Sequence, residues 1–138
     1  MSKLKITFQL NKLVRGSYYE DMAAEAHEVE SRILEGEEKR RALIAKVREE
    51  LDELESGDDD DPIDVGSAVR ALAESYGFSL EEFIAEVLAK DTRVGGFEGG
   101  YFVSALTFDE DNRWVEYYRK DPEKYPESGN AELDKSNE

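Results

Sequence analysis

The chain has no cysteine, a single histidine and only three prolines in 138 residues. Without cysteine there are no disulfides, no thiol nucleophile and no sulfur-ligated zinc. The histidine, His27, lies in the polar run Glu25-Ala26-His27-Glu28-Val29-Glu30 and reads as a surface residue, so no serine or cysteine triad can be built around it. No apolar run is long enough to span a bilayer, and the first residues do not read as a signal peptide; the expectation is a soluble, cytoplasmic protein. Positive charge is also scarce. Eighteen Lys and Arg face 34 Asp and Glu, giving a net charge of -16 and a pI near 4.5. Such a surface repels phosphate backbones and anionic lipid, so neither nucleic acid nor membrane is an expected partner.

What remains suits a helical domain. Hydrophobic residues make up 39% of the chain, enough for a core at this length. Residues 1–125 read as one domain and 126–138 as a polar tail expected to be disordered. Lys3-Leu4-Lys5-Ile6-Thr7-Phe8-Gln9-Leu10 alternates polar and apolar, the pattern of a strand with one buried face. Helices are expected at about Tyr18 to Ala26 and Glu37 to Glu55, the second broken by Ser56-Gly57 and the four aspartates Asp58 to Asp61. A third opens at Pro62 and stops at Gly77. Ser79-Leu80-Glu81-Glu82 is a capping-box signature for a fourth, ending near Lys90. Gly95-Gly96 and Gly99-Gly100 mark turns before Tyr101-Phe102-Val103, a second short strand able to pair with the first. Trp114, Tyr117 and Tyr118 fit one face of a short last helix.

The chemistry-bearing residues are acids. At a hundred degrees per residue, Leu43, Val47, Leu51 and Leu54 fall within an apolar arc of roughly 80°. Glu50 lies against the edge of that arc, Glu53 next to it and Glu49 further round, while Asp52 points away. Carboxylates this close repel by a few tenths of a kcal/mol per pair, and partial burial adds to the cost unless a cation compensates. Ordinary i, i+4 pairing of Lys46 with Glu50 and of Arg48 with Asp52 is the plainer explanation. A second acidic pair, Asp61 and Asp64, opens the third helix. Asp61 reads first as a cap, whereas Asp64 flanks the apolar face of Val65, Ala68, Val69, Leu72 and Tyr76. Asp58, Asp59 and Asp60 read as a solvated loop.

Taken in order, Asn11-Lys12-Leu13-Val14-Arg15, Val29-Glu30-Ser31-Arg32, Glu49-Glu50-Leu51-Asp52-Glu53, Ala71-Leu72-Ala73, Ser79-Leu80-Glu81-Glu82 and Gly95-Gly96-Phe97 resemble the MazG-like all-α NTP pyrophosphohydrolases, and among them the phosphoribosyl-ATP pyrophosphohydrolase-like proteins. The resemblance implies a mainly α, helical-bundle fold with a short terminal β pairing, and homo-oligomerisation as a dimer or larger. It implies a magnesium-dependent reaction splitting a nucleoside triphosphate into monophosphate and pyrophosphate, with removal of non-standard nucleotides as one role. Carried over, the Mg2+ ligands are Glu49, Glu50, Glu53 and Asp64, with Asp61 beside them. Glu50 and Glu53 are the candidate catalytic carboxylates. Lys12, Arg15, Lys90 and Arg93 are candidate contacts to the nucleotide's phosphates. Asp61 stands where the family has glutamate, Gly16 where it has aspartate, and the connection Leu54 to Asp60 is short for the family. These departures open a second expectation, a member that binds a nucleotide or a protein partner without hydrolysing it. A third is a structural helical oligomer whose acids are merely solvated.

Overall fold

In the computed structural model, residues 3–128 are described, and helices are the only regular structure among them. They are α1 (Gly16–Glu25), α2 (Gly36–Ser56), α3 (Ile63–Ser75), α4 (Leu80–Val94) and α5 (Arg113–Arg119). The chain divides into two compact units, Met1–Gly96 and Phe97–Glu138, where the sequence suggested one domain to residue 125. The division falls among the glycines, and Gly95, at φ 83°, holds a conformation that stops α4.

The first unit is organised by a hairpin of α2 and α3. The expected stripe on α2 is used unevenly. Leu43 is buried at 6% exposure, Val47 and Leu54 are half-buried, and Leu51 stays 47% exposed. From α3 the buried residues are Ala68 and Ala73, small side chains that let two helix backbones approach. Arg40, near the start of α2, donates to the Ser75 carbonyl at 2.7 Å and lies 4.0 Å over the Tyr76 ring. That contact sets the end of α3 beside the beginning of α2, so the helices run antiparallel, as a short connection requires.

The local signals explain the helix ends. Gly57, at φ 86°, closes α2, and the Asp58 and Asp59 amides both donate to the Glu53 carbonyl, at 2.9 and 3.2 Å. Gly77, at φ 91°, follows α3. Ser79 Oγ accepts the Glu82 amide at 3.2 Å and opens α4. That helix runs to Val94 rather than to Lys90, because nothing before Gly95 interrupts it. It packs on α3 and makes no contact with α2, leaving Ile84, Val87 and Leu88 exposed.

Neither expected strand forms a ladder among the described residues. A strand needs a neighbour for its amides and carbonyls, and Lys3 to Leu10 has none here; Leu4, Ile6 and Phe8 remain exposed. Tyr101-Phe102-Val103 is likewise exposed and without a ladder.

The second unit gathers aromatic rings around α5. Asn112 caps that helix by accepting the Trp114 amide at 2.9 Å. Tyr118 stacks with Phe108 at 5.9 Å between centroids and meets Tyr125 edge-on at 4.8 Å. Arg119 pairs with Glu127, inside the stretch expected to be a loose tail; residues 129–138 of that stretch lie outside the described residues. No helix among the described residues is long and apolar enough to cross a membrane.

Candidate metal centre

The last turns of α2 carry Glu49, Glu50 and Glu53, and the glycine turn after them folds the aspartate loop back over the helix end. Glu50 is the buried acid, at 5% exposure. Its Oε1 lies 3.4 Å from Lys46 Nζ, while Oε2 is enclosed with no hydrogen-bond partner among the described residues. Glu53 and Asp59 are half-buried beside it, and one carboxylate oxygen from each of the three lies within 4.8 Å of the others. Asp59 Oδ2 is also enclosed without a partner.

The flanking acids are held by bases. Lys12 Nζ donates to Glu49 Oε1 at 2.6 Å, and Lys46 reaches the other Glu49 oxygen at 3.1 Å. Arg15 forks between Asp64 Oδ1 and Ser67 Oγ, both at 3.1 Å. The segment before α1 therefore bridges to the end of α2 and the start of α3. Asp61 Oδ1 accepts the Ile63 amide at 2.9 Å and so turns the loop into α3, but the helix opens at Ile63 with Pro62, not Asp61, in the cap position.

The ionisations follow these contacts. The Lys12 hydrogen bond holds the Glu49 carboxyl below the usual glutamate range, and the same bond raises the Lys12 ammonium. Glu53 is pushed up, first by loss of solvation and then by the charge of Glu50 beside it. Asp59 is pushed up by loss of solvation and by the charges of Asp64 and Glu50.

No family model, curated protein or solved structure matches this chain.

Of the residues singled out in the sequence, Lys12, Arg15, Glu49, Glu50, Glu53 and Asp64 gather at one end of the hairpin. Asp61 is beside them but serves the α3 terminus. Lys90 and Arg93 are not brought in, since α4 does not touch α2, and both are exposed. Two residues escaped the sequence reading. Lys46 is more than a helix-face partner of Glu50, since it also reaches Glu49. Asp59 looked like solvated loop, and only the turn geometry after Gly57 places it against α2. An all-oxygen donor set with an enclosed, unpartnered carboxylate oxygen fits a hard divalent cation such as Mg2+, Mn2+ or Ca2+. The hollow beside Gly36, Arg40 and Ser75 and the one around Glu110 to Arg119 include none of these acids.

Proposed function

We propose that this chain is a magnesium-dependent nucleotide pyrophosphohydrolase of the MazG-like kind, acting on nucleoside triphosphates and serving to remove non-standard nucleotides. One observation carries the reading. The Lys12-to-Arg15 stretch reaches Glu49, 37 residues on from Lys12, and Asp64, 49 residues on from Arg15, through direct ion pairs beside a buried glutamate. These are the segments that the resemblance assigns to a single site.

Glu50 and Glu53 would hold the cation, with Glu49, Asp64 and Asp61 as the further carboxylates of the motif. When bound, the cation supplies neutralisation of phosphate charge. Lys12 and Arg15 exchange their carboxylates for phosphate oxygens as the nucleotide enters, which releases Glu49 and Asp64. Lys90 and Arg93, absent from this cluster within one chain, would serve from a second copy. One of the two catalytic carboxylates, Glu50 or Glu53, would orient or deprotonate the attacking water. The water oxygen bonds to the α phosphorus, the bond to the α–β bridging oxygen breaks, and pyrophosphate departs.

The same proposal includes a homo-oligomer and a cytoplasmic setting. The exposed Ile84, Val87 and Leu88 face of α4 suits a bundle completed by another copy. It also includes the finer fold, a bundle finished by pairing of Lys3 to Leu10 with Tyr101 to Val103. The test is pyrophosphate release from a panel of nucleoside triphosphates and phosphoribosyl-ATP, with and without magnesium. Wild type should release pyrophosphate only with magnesium, and Glu50→Gln and Glu53→Gln should each abolish turnover while keeping the helical signal. No release from folded wild type, or full activity in both variants, overturns the reading.

The engagement of Asp61 with the Ile63 amide favours a second reading, a member that binds a nucleotide or a protein partner without cleaving it. Its signature is a nucleotide-dependent rise in melting temperature with no product formed.

A further inference from the structure

The loop between α2 and α3 is held in place by more than chain connectivity. Its Asp58 and Asp59 amides share the Glu53 carbonyl, and Ser56 Oγ lies 3.1 Å from both that carbonyl and the Asp58 carboxylate. At its far end Asp61 is spent on the Ile63 amide. Between those anchors Asp59 turns inward, half-buried, while its neighbours Asp58 and Asp60 stay exposed.

We propose that Asp59 is the third protein ligand of a divalent-cation site formed with Glu50 and Glu53, so that the loop before α3 supplies part of the ligand set. Three points separated by 4.8 Å lie about 2.8 Å from their common centre, against metal–oxygen distances of roughly 2.3–2.6 Å for calcium and 2.0–2.1 Å for magnesium. Small rotamer adjustments close that gap. Glu50, whose side chain is 7% exposed, brings one oxygen within 4.8 Å of Glu53 and Asp59, and its Oε2 is enclosed with no protein donor among the described residues. Leaving a buried carboxylate oxygen unsatisfied is costly, and a cation removes that cost.

Charge points the same way. Glu49, Glu50, Glu53, Asp59 and Asp64 form one interacting set, and the bases paired within it are Lys12, Arg15 and Lys46. Asp58 and Asp61 also act on Asp59, so the acids here outnumber the bases. The bases are also distributed unevenly: Glu49 has two and Asp64 one, whereas Glu53 and Asp59 form no ion pair among the described residues.

This deepens the proposed function and rests on its cation, but it concerns binding and not turnover. The test is calorimetric titration of the nucleotide-free protein with MnCl2 and MgCl2, comparing wild type, Asp59→Asn and Asp60→Asn, each checked for helical signal by circular dichroism. Wild type and Asp60→Asn should bind alike, and Asp59→Asn should bind about tenfold more weakly or worse, at least what the loss of an outer-shell partner costs. Equal binding by Asp59→Asn and wild type overturns Asp59 as a ligand and leaves the proposed function standing. Equal weakening in both loop variants also overturns it, since loop charge alone would then account for the effect. No binding by folded wild type overturns the site, while magnesium-dependent pyrophosphate release would still leave the cation of the proposed function standing, carried in with the nucleotide.

Discussion

Leu43→Ala should take away much of what holds the α2–α3 hairpin together. Leu43 is the largest of the three apolar side chains buried among the described residues, and the other two are alanines. Removing three carbons at about 0.8 kcal/mol per buried CH2 costs about 2.4 kcal/mol in transfer free energy. The cavity left behind adds to this, since nothing as small as Ala68 or Ala73 can move in to fill it, and a total of about 3 kcal/mol is expected. Alanine's better helix propensity returns only a few tenths of that. The control is Leu51→Ala, on the same helix and the same stripe but 47% exposed, where less than about 1 kcal/mol is expected. Urea unfolding of the full chain, followed by circular dichroism at the helical minimum, reads both variants. The Leu43→Ala midpoint should fall with the slope unchanged. A loss below about 1 kcal/mol for Leu43→Ala would refute the hairpin core. An equal loss for Leu51→Ala would show that another surface covers Leu51 in solution, contrary to its exposure here.

Ser79→Ala removes the one side-chain cap on α4 and should cost about 1 kcal/mol, measured by the same unfolding curves. Glu49 and Glu53 should drive stability in opposite directions with pH. Glu49 has a depressed folded pKa, so its contribution is present above the unfolded glutamate range and is lost as pH falls through the folded value. Replacing Lys12 with methionine should flatten that acid dependence in a melting-temperature series from pH 7 downward. Glu53 has a raised folded pKa, so its cost is felt above that value and relieved as pH falls toward the unfolded range. In chelator, Glu53→Gln should therefore raise the melting temperature at pH 7, and the gain should vanish in acid.

The elements that depend on neighbouring residues were legible in the sequence. Ser79 through Glu82 spells its own cap, Gly57 and Gly77 their own stops, and each does in the structure what local chemistry demands. Helical geometry also placed Glu50 against the apolar arc, and it is the buried acid. Residues whose position depends on distant partners were harder. Leu51 sits on the predicted stripe but beyond the reach of α3. The alternating pattern of Lys3 to Leu10 says that one face wants burial without saying against what, and no ladder forms among the described residues. Asp59 was invisible as a site residue because a run of aspartates looks the same whether it faces water or folds inward. The two amide bonds to the Glu53 carbonyl decide between those outcomes, and no side chain advertises them.

The run Asp58 to Asp61 has one further property. Removing any one of the four yields the same shortened chain, with three aspartates between Gly57 and Pro62, so it does not matter which codon is lost. Adding an aspartate anywhere in the run is equally indifferent to place. A gain or loss of one residue there is therefore a change of span alone, with Gly57 and Pro62 still at its ends.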